Sequence, residues 1–504
     1  MSETSFSTFC KQAETYSMIP YVSTFFTDTL TPIEVFQKFQ EEAVFLLESK
    51  DEASLWSRYS FIGLHPQFTI TDRGGNYAFV NEKGALLKEN TSLSVLFDEA
   101  IQYLAPAPAE VDIPFLGGAV GVIPYDSIED FEPDLQKEED APGEDHVTLQ
   151  FCETIIAMDH ENRELTFIHY NKDTDITLSE RYDHAAAGVK RLLDVLTAGA
   201  RTTGHLQAPL GKSAEADFSK VYTCYPKEKF EQDVERIKEY INAGDIFQAV
   251  LSQRFERRVS VEAFDIYRAL RMINPSPYLF YLKLGEKEVV GSSPERLIQV
   301  QDRRIEIHPI AGTRKRGRSV EEDEELTREL LQDEKERAEH YMLVDLARND
   351  AGRVAEYGSV KTPVLMEVGK FSHVMHIISK VTGELKKEIT PVEALQASFP
   401  AGTVSGAPKF RAMEILKSLE PHRRGIYSGA VCYLGYDGNI DSCISIRTMV
   451  VENGKAKIQA GAGIVADSVP EKEYEETQNK AAALLRAVEA AEAVFSEKGD
   501  TNHV

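Results

Sequence analysis

The sequence predicts an α+β protein built on large, mainly antiparallel sheets with flanking helices. Three observations carry that prediction. Strand-like runs outnumber helical ones in both halves of the chain, the few long helices are amphipathic, and strands and helices do not alternate in the rhythm of a parallel βαβ sheet. The glycine-rich stretch FLGGAVGVIPYD lacks the GxGxxG spacing of a dinucleotide fold and reads as a tight turn between strand pieces.

In chain order, Tyr21 to Phe26 form a short apolar strand, and a helix runs from about Pro32 to Gln40. AVFLLESK is an apolar strand that ends at Glu48 and Ser49. RYSFIGLHP follows, and the alternating FTITD and YAFVN read as further strands of an antiparallel sheet. LSVLFDEAIQYL is a helix, and the acidic, proline-containing stretch at about 130–146 is a solvated loop. FCETIIAMDH and LTFIHYN make a hairpin, and RYDHAAAGVKRLLDVLTAG a helix. The small, polar residues of ARTTGHLQAPLGKSAEA mark a linker and divide the chain into domains 1–215 and 216–504.

The second domain opens with the helix KEKFEQDVERIKEYINAGD. Phe230, Val234, Ile237 and Ile241 recur there at helical spacing, and Gly244 is placed to cap it. IFQAVLSQRFERRV is a strand, and VEAFDIYRALRMI is a helix stopped by the prolines of NPSPY. YLFYLKLG, KEVVGSSPERLIQVQ, RIEIHPIAGT, SHVMHIISKVTGEL, IYSGAVCYLGYDG, IDSCISIRTMVVEN and KAKIQAGAGIV all read as strands. Between them, DEKERAEHYMLVDLARND is an amphipathic helix whose apolar stripe is Ala338, Met342, Leu343 and Leu346, with Glu339 and His340 at its edge. The last helix, EKEYEETQNKAAALLRAV, puts Glu473, Glu476 and Lys480 on one face; Leu484, Leu485 and Val488 supply apolar contacts further along.

Composition narrows the function classes. Of 504 residues, 27% are charged and 42% belong to the hydrophobic set, the profile of a folded soluble chain. No apolar run approaches the roughly 20 residues that span a bilayer, and the first residues lack the basic and apolar segments of a signal peptide, so a cytoplasmic location is expected. A formal charge of −26 argues against nucleic acid as a partner. Cys10, Cys152, Cys224, Cys432 and Cys443 are scattered, with no CxxC pair, and imply neither a disulfide framework nor a zinc site.

Chemistry concentrates in the second domain. Were the helix at Asp333 and the terminal helix to flank one pocket, Glu339 and Glu476 would offer carboxylates to Mg2+, which takes one or two of them and fills its octahedron with water and substrate. The glycines of PAGTVSGAPK, QAGAGIVAD and PIAGTRKRG allow close backbone approach and together suggest an anion site of backbone donors. Glu295 at a strand edge and His376 in an apolar run are candidate acid and base. Arg447, read as inside a strand, requires an anionic partner.

PIAGTRKRG, AEHYMLVDLARND, FPAGTVSGAPK, IRTMVVENG, QAGAGIVADS and EYEETQNKA, in that order, closely resemble the motifs of the chorismate-utilising enzymes, and among them the large (component I) subunits of anthranilate synthases. The resemblance covers nearly the whole chain and implies the aminodeoxychorismate synthase-like fold. Family members that form aminodeoxychorismate carry a nucleophilic lysine where this chain has Ala311, and isochorismate and salicylate synthases a lysine where it has Gln248. Both departures favour anthranilate formation.

Carried over position by position, the resemblance implies Mg2+ held by Glu339 and Glu476. Chorismate is held by Gly312, Thr313, Tyr427, Arg447, Gly461, Ala462, Gly463 and Lys480. Glu295 becomes the general acid for the departing ring hydroxyl, with His376 and Thr403 assisting pyruvate elimination. Ser49 with Pro277, Tyr278 and Leu279 resembles the L-tryptophan inhibitor site, although the family's usual methionine is leucine at Leu279. No glutaminase triad is recognisable, so the resemblance implies free ammonia as substrate, or glutamine through a separate amidotransferase subunit (component II) in a heterotetramer. The rival readings are an aminodeoxychorismate synthase and a catalytically dead regulatory subunit that binds chorismate or tryptophan.

Overall fold

The computed structural model describes residues 2–50, 55–73, 76–135, 145–172, 175–198, 216–370 and 374–496. The proposed domain boundary near 215, its linker and most of the acidic loop lie outside them. Every ladder between named strands is antiparallel, and the strands form one hydrogen-bonded network. In the first half the 15-residue strand Tyr59–Arg73 is central, pairing with Ala43–Glu48, Asn76–Asn81 and Thr148–Asp159. In the second half Gln248–Arg258 pairs with Lys455–Ile464 along ten residue pairs. Thr448–Glu452, Lys287–Ser293 and Tyr278–Leu284 continue that ladder.

The two halves are stitched twice. Tyr278–Leu284 pairs with Ala43–Glu48, and Ala430–Gly435 pairs with Gly118–Ile123. The second stitch corrects the reading of FLGGAVG as a turn: Gly118–Ile123 is a fully buried strand. Its glycines are required by close approach, since a Cβ at Gly118 would lie 2.0 Å from the Leu434 carbonyl oxygen and one at Gly121 1.7 Å from that of Thr148.

Helices form where periodicity placed them. Lys227–Ala243 buries Phe230, Val234 and Ile237 and ends on Gly244 at φ 85°. The terminal helix Pro470–Phe495 buries Leu484, Leu485 and Val488 in a core shared with Phe264 and Leu270 of the helix Ala263–Ile273. In Glu334–Val354 the buried face is His340, Leu343, Val344, Ala347, Ala351 and Val354. The expected stripe is therefore rotated: Ala338 is exposed, and His340 lies under the helix with Nε2 2.6 Å from Ser379 Oγ. Burial pushes that imidazole down to about 4, which keeps it neutral.

Three runs read as single strands are broken: at Pro294-Glu295, at His308-Pro309, and over Ser445–Arg447. The strand Lys361–Lys370 was not anticipated, because its residues alternate only between exposed and half-buried. Among the described residues no helix is long and apolar enough to cross a membrane.

Candidate active site

The broken strands converge on one open cleft. Glu295 follows Pro294 where Lys287–Ser293 gives way to Arg296–Gln301, and its carbonyl accepts from Ile444 N at 3.0 Å. Half-buried there, its carboxyl is pushed up to about 7, chiefly by desolvation; the Thr403 hydroxyl and the Lys480 ammonium pull the other way. Thr403 sits in the helical turn Gly402–Ser405, and its buried Oγ1 reaches full hydrogen-bond geometry with no partner among the described residues. Lys480, on the terminal helix, donates to the Gly461 carbonyl at 2.9 Å and pairs with Glu476 at 2.7 Å.

Glu339 faces Glu476 across the cleft. Its carboxyl is raised by partial desolvation first, then by the Glu336 and Glu476 carboxylates. Glu473 is raised by desolvation and by Glu476 as well. The two helices thus bring Glu339 and Glu476 within electrostatic range of one another. Glu336, not singled out from sequence, sits three residues before Glu339, a spacing that places both on one helix face; its Oε2 would lie 3.2 Å from a Cβ at Gly312.

Gly312 occupies a bulge between Ala311 and Thr313 at φ 64°, where a side chain would be strained. Opposite it, His376 Nδ1 lies 3.0 Å from the Gly312 carbonyl and 3.1 Å from Thr313 Oγ1. A carbonyl only accepts, so Nδ1 carries the proton and Nε2 holds the lone pair. Desolvation and the Arg447 charge both push this imidazole down, so it is neutral at physiological pH.

Arg447 is not inside a strand. It forms the bend between Ile440–Ile444 and Thr448–Glu452 at φ 51°. Desolvation lowers its pKa, Tyr427 is beside it, and it makes no ion pair among the described residues. A half-buried guanidinium with no ion partner among the described residues is incompletely compensated, so the position suits an anionic ligand. Tyr427 Oη lies against Gly461, where a Cβ would approach it to 2.9 Å. A Cβ at Gly463 would meet Gln248 Nε2 at 2.5 Å. Ala462 alternates to the other face and is buried in the core with Leu251, so only its backbone can face the cleft. The PAGTVSGAPK stretch is not an open anion loop, because Gly406–Ala407 is built into the sheet opposite Gln248 and Ala249.

A second, apolar cavity brings together Ser49, Pro277, Tyr278 and Leu279. Leu279 pairs with Glu48 across the first stitch. Glu48 is closed off by Arg271, at 2.7 and 3.0 Å, and by the Tyr267 hydroxyl at 2.5 Å. Tyr278 Oη donates to Asp441 at 2.9 Å and accepts from Arg296 Nε at 2.7 Å. Arg296, the residue after Glu295, therefore stands in the wall between cavity and cleft.

The chorismate binding enzyme family profile matches residues 42–486. The chain is 52% identical over 503 residues to an anthranilate synthase component 1 of Bacillus caldotenax, covering 99% of each. It is 50% identical over 501 residues to that of Bacillus subtilis (strain 168), covering 99% of this chain and 97% of the other. The chain belongs to the anthranilate synthase component 1 family. A crystal structure of anthranilate synthase component I from Streptococcus pneumoniae TIGR4 superposes with a TM-score of 0.73 at 36% identity, over 91% of this chain and 98% of that one. The menaquinone-specific isochorismate synthase of Escherichia coli shares the fold, with a TM-score of 0.68 at 20% identity over 94% of this chain and 95% of that one. In this chain the cleft and the apolar cavity stand on opposite sides of Arg296.

Proposed function

We propose that the chain is the large subunit of an anthranilate synthase, a lyase that converts chorismate and ammonia to anthranilate, pyruvate and water in tryptophan biosynthesis. Its ammonia comes from a separate glutamine amidotransferase subunit, the two forming a heterotetramer in the cytoplasm, and L-tryptophan inhibits it. The geometry that carries this reading is a carboxyl, raised to about 7 by burial, in a cleft that also presents a guanidinium with no ion pair among the described residues. Chorismate has two carboxylates and a poor leaving group, and needs both.

The Arg447 guanidinium takes one carboxylate, with Tyr427 and Lys480 alongside, and the Gly461–Gly463 floor lets the ring approach the backbone. Glu295, raised to about 7 by burial, gives its proton to the ring hydroxyl as ammonia adds, and water leaves. His376, neutral with its lone pair on Nε2, then serves as the base for loss of the ring proton, with Thr403 assisting as the enolpyruvyl group departs as pyruvate and aromaticity is gained.

The cleft also suits a magnesium ion. Glu339 and Glu476 are accessible, repel one another, and form no complete protein cage with a third ligand among the described residues. That matches an ion that keeps water and substrate oxygens. Bound there, Mg2+ would supply charge neutralisation of a substrate carboxylate. Tryptophan inhibition is supported by the cavity at Ser49, Pro277, Tyr278 and Leu279, apolar enough for an indole and bordered by Arg296.

Product identification tests the reading. Purified chain given chorismate, Mg2+ and an ammonium salt is expected to yield equal amounts of anthranilate and pyruvate. An aminated chorismate that keeps its enolpyruvyl group, or no consumption of chorismate, would overturn it.

A further inference from the structure

Beneath the cleft, Arg424 is 3% exposed and makes a set of bonds that the steps above do not use. Its Nη1 donates to the Val404 carbonyl at 2.6 Å, and its Nη2 to the Val250 carbonyl at 2.6 Å. Nε and Nη2 grip the Glu420 carboxylate, four residues back at the end of the helix Lys409–Leu419, at 2.8 and 2.7 Å. Glu420 in turn accepts from Ser252 N and Ser252 Oγ, both at 2.8 Å. The guanidinium carbon lies 5.8 Å from the centre of the Tyr427 ring.

Each of these bonds ends next to a residue of the cleft. Val404 follows Thr403. Val250 is the ladder partner of Gly463, and Ser252 that of Gly461. Tyr427 presses its hydroxyl on Gly461. One buried ion pair thus joins three segments distant in sequence, at 250–252, 403–404 and 420–427. A buried ion pair is often no more stable than apolar residues of the same volume, and bonds from this one to three segments suit it to holding their geometry.

We propose that Arg424 and Glu420 are a positioning pair that fixes Thr403 and Tyr427 over the Gly461–Gly463 floor, without touching substrate. The inference rests on the reading of Thr403 as part of the catalytic cleft. Lysine keeps the charge but donates from a single atom, so it loses the planar fork that grips Glu420 at two oxygens while reaching Val404 and Val250.

The test is a double-mutant cycle on the full chain, with chorismate, Mg2+ and ammonium. Arg424→Lys is expected to lower kcat about tenfold, with KM for chorismate within about twofold and melting shifted by a few degrees at most. In a Thr403→Ala background, where kcat is already reduced, the same change is expected to cost less than about twofold, because residues acting as a unit are not additive. A second readout follows from Thr403 holding the Glu295 carboxyl down. Freeing Thr403 raises that acid, so the alkaline limb of the kcat profile moves to higher pH in Arg424→Lys. Should Arg424→Lys fail to fold, Glu420→Gln takes its place in the cycle.

An undiminished, additive loss in the Thr403→Ala background would overturn the positioning role, as would a rise in KM with unchanged kcat. Wild-type kcat in Thr403→Ala alone would instead overturn the assignment of Thr403 to the cleft chemistry, and the positioning proposal with it.

Discussion

The cleft and the apolar cavity share the strand Ile440–Ile444 and the wall at Arg296, yet they handle charge in opposite ways. In the cavity every charged group is answered from within the chain: Glu48 by Arg271 and Tyr267, and Asp441 by Tyr278 and Arg296. What remains for a ligand is shape and apolar surface, with Ser49 as a polar group in the wall. In the cleft Lys480 answers Glu476, but among the described residues Arg447 has no ion pair, Glu339 is raised by burial and by neighbouring carboxylates, and Thr403 Oγ1 lacks a partner at full hydrogen-bond geometry. Closed networks mark scaffold. Open ones mark where a charged substrate completes the structure.

The sharpest way to break this comparison is at Glu295. Glu295→Gln removes the proton donor and is expected to lower kcat by about 10²–10⁴-fold, read as ammonia-dependent anthranilate formation. The fold should be unharmed, since a half-buried acid is exchanged for a neutral isostere. The next effect is at Arg447. Arg447→Met is expected to raise KM for chorismate by about 10–100-fold while the melting temperature holds or rises, because an unanswered charge has been removed. A fall of several degrees would show that Arg447 is scaffold and that the comparison fails there.

On the other side of the wall, Ser49→Ala is expected to weaken tryptophan inhibition about tenfold, the value of one lost hydrogen bond, with turnover unchanged. The smallest effect concerns pH. Glu295 acts in its protonated form, so turnover should decline as pH rises through about 7, the value to which burial has moved it. In Thr403→Ala that limb moves upward, since the hydroxyl that favours the charged form is gone. A pH–rate profile of kcat for both proteins reads the shift.

Helical periodicity made the scaffold of the cleft legible. Glu473, Glu476 and Lys480 lie on one face as their spacing requires, and Gly244 caps the helix that begins the second half. Strand patterns were legible in kind but not in extent. Hydrophobic runs continue across Pro294-Glu295 and Ser445–Arg447, because the flanking residues are buried on both sides of each break, so local pattern cannot show where pairing stops. The breaks are where Glu295 and Arg447 leave the ladders. The rotated stripe of Glu334–Val354 has a similar cause: His340 satisfies one ring nitrogen on Ser379 and so belongs to the buried face despite its polarity. Nothing in HRRG distinguishes Arg424 from its neighbour, because its partners come from segments far away in sequence.

The most direct measurement combines turnover with tryptophan calorimetry on one preparation of Glu295→Gln beside the unaltered chain. The account predicts that the variant binds tryptophan with unchanged affinity at one site per chain while its anthranilate formation falls at least about 100-fold. Loss of both properties together, or wild-type turnover in the variant, would contradict the division of the molecule into an open catalytic cleft and a closed apolar site.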